Sequence, residues 1–219
     1  MGFRSGPIAQ WLEHGTHNVP SRPTIIEPLY DDGSVVVARG DAFDFLESLV
    51  DDFATAVITD PPYDLDGDEI GILDRQFARV AKGKIVFMPP ENQWVNSSQF
   101  GFWVKPISTK NTSRKYSRFV EMIFFGGELA WNTDRHWSQY TNVFTDLVDG
   151  ETEHPYEKPL SLMKRLILNH TTPGQIIVDP FCGSGTTLLA AKQTGRRAVG
   201  VEIDDAYCRI AANRLASLG

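Results

Sequence analysis

The sequence predicts an α/β protein: a mostly parallel, twisted sheet with helices on both faces and an antiparallel hairpin at one edge. Three observations carry this. Short β-branched runs alternate with amphipathic stretches along most of the chain, the pattern of strands joined by crossover helices. Several strand-like runs end in an acid, at Asp60, Asp179 and Glu202, and a glycine turn and helix follow the second of them. Two further runs, residues 102–107 and 119–125, follow each other without a helical stretch between them, as in a hairpin.

Taken in order, Val35–Val37 reads as a strand leading to Gly40-Asp41, and Phe43–Leu49 as a short helix. Ala56–Thr59 is a buried-strand run ending at Asp60, and Ile72, Phe77 and Val80 mark a helix over 69–81. Lys84–Met88 is an apolar strand stopped by Pro89-Pro90. After the hairpin, residues 127–153 are polar and irregular. Leu160, Met163, Leu166 and Ile167 define an amphipathic helix. Gln175–Val178 is a strand, Thr187–Gln193 a helix and Ala198–Val201 a strand, and an Ala-rich helix over 205–217 follows. There is no internal repeat.

At 219 residues, with 42% hydrophobic and 22% charged residues, the chain fits one domain with a real core. Residues 1–23 lack periodicity and are read as a disordered arm, and 24–219 as a single domain. Residues 108–118 and 127–153 are the space left for a small recognition insertion. Cys182 and Cys208 offer neither a disulfide framework nor metal-ligand spacing, so the simple expectation is a reduced, cytoplasmic protein with no metal. No apolar run approaches the roughly 18 residues that span a bilayer.

The net charge of −7 argues against a nonspecific nucleic-acid coat, although phosphate affinity depends on where positive charge sits. It is concentrated: Lys105, Lys110, Arg114, Lys115 and Arg118 share residues 105–118 with no acid. The acids Asp64, Asp66, Asp68 and Glu69 fail EF-hand spacing, because Arg75 stands where a Glu is required, and read as a solvated loop.

Two motifs carry chemistry. Asp179-Pro180-Phe181-Cys182-Gly183-Ser184-Gly185-Thr186-Thr187 follows a strand and opens a helix, the context of a nucleoside-binding glycine loop. Glu202 ends the next strand, where an acid accepts ribose hydroxyls. Leu188 replaces the third glycine of a nicotinamide fingerprint, and no P-loop lysine is present, so hydride and phosphoryl transfer are disfavoured. Asp60-Pro61-Pro62-Tyr63 leaves its strand in a stiff turn whose Asp60 and Pro61 carbonyls are free to accept hydrogen bonds. One carboxylate and one carbonyl match the two N–H donors of an exocyclic amine, and Tyr63 offers a face for an extruded base.

The two motifs together, in this order, resemble the beta group of amino-DNA methyltransferases from about Gly40 to the C-terminus. The stretch Gly40-Asp41-Ala42 is similar to the family's adenine-contacting segment. Trp103–Pro106 and Phe119–Gly126 are similar to its strands beyond the catalytic motif, and His154-Pro155-x-x-Lys158-Pro159 to its cap over the cofactor methionine. The resemblance implies a Rossmann-like methyltransferase fold, S-adenosyl-L-methionine as cofactor and double-stranded DNA as partner, with a homodimer or an accessory specificity protein as an option. It implies a catalytic role for Asp60, Pro61, Pro62 and Tyr63. Cofactor contacts are implied for Asp41, Ala42, Asp60, His154, Lys158 and Pro159, for Asp179, Pro180, Phe181, Gly183, Ser184, Gly185, Thr186 and Thr187, and for Glu202 and Ile203. The basic residues Lys105, Lys110, Arg114, Lys115 and Arg118 would hold DNA.

Asp rather than Ser at position 60 leans the resemblance towards adenine N6. Cytosine N4 is the nearest rival, and an inactive cofactor- or nucleic-acid-binding module the reading from another class. Cys182 lies inside the glycine loop and reads as a small lining residue, not a thiolate nucleophile.

Overall fold

The computed structural model describes residues 27–90, 94, 96–105, 120–147 and 157–218. The strands are β1 (Glu27–Asp31), β2 (Val35–Arg39), β3 (Ala54–Thr59), β4 (Ala81–Met88), β5 (Gln99–Val104), β6 (Val120–Gly127), β7 (Val143–Phe144), β8 (Ile176–Asp179) and β9 (Arg197–Glu202). The helices are α1 (Ala42–Ser48), α2 (Gly67–Val80), α3 (Leu160–His170), α4 (Thr186–Gln193) and α5 (Asp205–Ala216), with a 3-10 turn at Trp137–Tyr140. Among the described residues the strands form one sheet, in the order β1-β2-β9-β8-β3-β4-β6-β5-β7.

The five strands from β2 to β4 are mutually parallel. β6 joins β4 antiparallel, and β5 pairs antiparallel with β6 to make the expected hairpin. Side chains alternate between two cores. Val35, Val37, Ala56, Ile58, Ile85 and Phe87 face α3, α4 and α5 through Leu162, Leu166, Leu188 and Ala211. Val36, Val57, Val86 and Met88 face α1 and α2 through Phe45, Leu73 and Phe77. β4 is apolar throughout its second half because both of its faces are covered, each large side chain contributing about 1.5–3 kcal/mol on burial.

β8 continues through α4 to β9 on one side, whereas β3 continues through α2 to β4 on the other. The strand order therefore reverses between β8 and β3, and a crevice opens at their carboxyl ends.

The acids after Tyr63 are not simply a solvated loop. Asp66 caps α2 in a reciprocal capping box with Glu69, and Asp68 and Glu69 occupy its first turn. Acids belong there, facing the positive end of the helix dipole. β1 lay outside the sequence reading; it is an antiparallel edge strand with a register shift between Pro28 and Tyr30, too short and irregular to show a period. In the polar stretch, β7 pairs with β5, and the Asn132 side chain donates to the Leu168 and Thr171 carbonyls, so this segment is tied to the body.

Candidate active site

The crevice at the β8–β3 reversal is a cavity of about 610 Å³. Asp41, Ala42, Asp60, Pro61, Pro62, Tyr63, Lys158, Asp179, Pro180, Phe181, Gly183, Ser184, Thr186, Thr187, Glu202 and Ile203 all line it. Gly185 and Pro159 do not. Gly185 has φ 82°, and a Cβ there would stand 2.8 Å from Ala211 Cβ, so it serves the turn and the packing of α5 on the loop. Pro159 occupies the N-cap position of α3. His154 lies outside the described residues, as do Lys110, Arg114, Lys115 and Arg118.

The glycine loop turns on Gly183 and Gly185, both at positive φ. Among the described residues no side chain caps α4, so its first N–H groups are left without a side-chain cap. Glu202 accepts from Gly183 N at 3.0 Å and from Asp204 N at 2.9 Å, which fixes the carboxylate at the cavity wall. Asp41 caps α1 through one oxygen, donated to by Phe43 N and Asp44 N. Burial pushes the Cys182 thiol well up, as an inert lining residue requires.

At the other wall, Lys158 Nζ is hydrogen bonded to Asp60 Oδ2 and lies 3.1 Å from Glu121 Oε2. Lys105, expected to face DNA, is ion-paired with Glu121 and lies over the Trp103 ring. Asp60 Oδ1 is buried without a hydrogen-bond partner among the described residues. Burial raises the Asp60 pKa, opposed chiefly by the Lys158 charge, while Lys158 is held above its usual range by Asp60 and Glu121 against its own burial. The two lysines hold Glu121 below the usual carboxylate range despite its burial. Burial, then Asp60 and Glu121, push the Tyr63 hydroxyl far up, so it stays protonated.

Four side chains of the site escaped sequence reading. Thr59 donates to Asp179 Oδ1. Glu121 had one usable signal, a single acid inside the otherwise apolar run Val120–Phe125. Arg214 donates to Ser184 O and Oγ at 2.9 Å and to Glu157 Oε1 at 2.5 Å, clamping the 157–159 segment to the glycine loop. Nothing near Arg214 in sequence announces this. Glu157 hides in a variable position of the His154–Pro159 motif. Among the described residues no group of His, Cys, Asp or Glu is arranged to hold a metal ion.

Comparison with known proteins agrees with this geometry. The type II methyltransferase M2.DpnII of Streptococcus pneumoniae is 26% identical over 248 residues, covering 86% of this chain and 92% of that protein. The crystal structure of the M1.HpyAVI–SAM complex superposes with a TM-score of 0.68 at 27% identity, over 82% of this chain and 99% of the other. The cytosine-N4-specific PvuII DNA methyltransferase shares the fold, with a TM-score of 0.69 at 18% identity over 86% and 89%. Residues 102–213 match the N6/N4 methyltransferase family, described as DNA methylase, and the chain belongs to that family.

Proposed function

We propose that this protein methylates adenine N6 in double-stranded DNA, taking the base flipped out of the helix. It is an S-adenosyl-L-methionine-dependent DNA methyltransferase of the N6/N4 family. The observation that carries the choice of reaction centre is Asp60, whose Oδ2 is occupied by Lys158 and whose buried Oδ1, at the cavity wall, receives no well-formed hydrogen bond among the described residues, with the Tyr63 hydroxyl beside the carboxylate. A buried carboxylate oxygen so placed is costly, and an amine N–H would satisfy it.

The cavity fits the cofactor. Glu202 is positioned for ribose hydroxyls, Ile203 and Phe43 offer apolar walls for an adenine, and the backbone of Gly183 permits close approach. S-adenosyl-L-methionine, when bound, supplies an electrophilic methyl carbon on a sulfonium sulfur. The remaining work belongs to the chain. Asp60 Oδ1 and the Pro61 carbonyl accept the two amine N–H groups, which draws the nitrogen lone pair out of the ring system and aims it. The ionised Asp60 offsets the positive charge that grows on nitrogen. Tyr63 provides a ring for the extruded base.

The test is incubation with unmethylated plasmid DNA and isotopically labelled cofactor, followed by nucleoside mass spectrometry. Labelled N6-methyladenine is expected. Labelled N4-methylcytosine alone would overturn the assignment of the base, and label in RNA but not DNA the assignment of the substrate.

A further inference from the structure

We infer that Glu121 and Lys158 form a positioning unit for Asp60: Glu121 anchors the Lys158 ammonium so that it covers one oxygen of the Asp60 carboxylate and leaves the other open. The catalytic consequence rests on the function proposed above; the arrangement itself does not.

The geometry is that of a buried charge relay from cavity to surface: Asp60, Lys158, Glu121 and Lys105 alternate in sign and sum to zero. The side chains of Lys158 and Glu121 are 6% and 4% exposed, while Lys105 is 31% exposed and meets solvent. Lys158 Nζ also lies 5.3 Å from the Phe87 ring centre and 5.7 Å from that of Trp103, so aromatic faces and two carboxylates fix its position. Such a chain is a poor way to stabilise a fold, since apolar residues of similar volume do as well without desolvating the Lys158 and Glu121 charges. Its geometry instead serves Asp60. The lysine ammonium is a compact point charge whose three N–H donors point in different directions, whereas the arginine fork commonly engages both oxygens of one carboxylate. A lysine therefore orients and neutralises the carboxylate from one side without competing for Oδ1.

The groups facing Asp60 come from every element around it: Lys158 before α3, Glu121 on β6 with Lys105 behind it, Asp179 on β8, and Tyr63 on its own turn. Lys158 and Tyr63 favour the ionised Asp60. Glu121 and Asp179 oppose it, so Glu121 both places the lysine and moderates its pull on Asp60. Lys158 and Glu121 thus act on Asp60 in opposite electrostatic senses.

That opposition supplies the test. The Asp60 carboxyl would be titrated by carbon-13 NMR in aspartate-labelled protein, assigned by its loss in Asp60→Asn. Lys158→Met is expected to move its midpoint up by at least about one pH unit, and Glu121→Gln to move it down. In parallel, turnover at saturating cofactor should fall at least tenfold in Lys158→Met, and its acid limb should follow the NMR midpoint. Affinity for S-adenosylhomocysteine, by calorimetry, should stay within about threefold. Weakened affinity with unchanged saturated turnover would make Lys158 a cofactor contact and overturn the inference. So would midpoints that do not move, or move the same way, in the two variants. If a single variant fails to fold, the double variant Lys158→Met with Glu121→Gln removes both charges, and its midpoint should lie between those expected for the single changes. Absence of methylation by the wild-type protein would count against the proposed function and leave the NMR result standing.

Discussion

Thr59 Oγ1 donates to Asp179 Oδ1 at 2.7 Å, a buried hydrogen bond between residues 120 positions apart. It joins the ends of β3 and β8, and with them the catalytic turn and the glycine loop. Asp179 also accepts from Phe181 N at 3.2 Å and from the Thr187 hydroxyl. Burial nevertheless pushes its pKa up to about 6, from an ordinary 3.8.

A carboxyl whose pKa is raised by folding binds protons more tightly in the native state. Between about pH 4 and pH 6 the native protein therefore holds more protons than the unfolded chain, and this group's contribution to stability falls as pH rises. Asp179→Asn removes that dependence. Relative to the variant, the wild type should lose about 2 kcal/mol between pH 4 and pH 7. Urea unfolding of both proteins at the two pH values measures it, and parallel changes would contradict the buried-acid assignment.

Asp60→Ala should separate binding from transfer. Methylation is expected to drop by roughly 10²-fold or more, as for loss of a preorganised charge-stabilising group. Calorimetry should find S-adenosylhomocysteine bound nearly as before, and full activity in a folded variant would refute the mechanism.

Glu202→Ala should do the reverse, weakening S-adenosylhomocysteine by about 1.5–3 kcal/mol, the range for hydrogen bonds to a charged group. Because Glu202 also holds Gly183 N and Asp204 N, part of that loss comes from a loosened loop. Glu202→Gln, which keeps one acceptor oxygen, should lose less in the same titration.

Arg214→Ala should destabilise the fold by about 2 kcal/mol, since it removes the cation paired with Glu157, leaving the longer bond from the Thr186 hydroxyl, and frees the Ser184 carbonyl. Chemical denaturation reads the loss. A larger effect on cofactor affinity than on stability would mark the clamp as mainly functional.

The basic residues of 110–118 are expected to meet phosphate. Each lysine or arginine on phosphate adds about 0.9 to the slope of log affinity against log salt. Changing Arg114, Lys115 and Arg118 together to alanine should lower the slope by about 2–3 units and leave cofactor affinity unaltered. An unchanged slope would place DNA on another surface.

How much of this was legible in the sequence depended on range. The catalytic turn and the glycine loop are contiguous, so their chemistry shows in the order of residues, and α3, α4 and α5 follow from local period. Asp60's partners do not, because Lys158 and Glu121 lie 98 and 61 positions away and meet it only once β3, β4 and β6 are side by side. Lys105 was misleading for the same reason: a basic residue next to a basic stretch looks solvent-bound until its buried partner is known. The acids at 66–69 read as a loop because the helix they begin has its first buried apolar residue only at Ile70.

The order of strands has a consequence for how the molecule comes into being. β2 finds its parallel neighbour in β9 and β3 finds one in β8, so the middle of the sheet is stitched from opposite ends of the chain. A nascent polypeptide emerging from the ribosome can close the β3–β4–β6–β5 half early. Its central ladder must wait until residues beyond 197 are free. Folding is thereby dominated by contacts of long sequence separation, the slow and aggregation-exposed kind. A chain interrupted before β9 would leave β8, the strand that leads into the glycine loop, as an open sheet edge, with β1 and β2 unattached and Glu202 missing from the cavity wall.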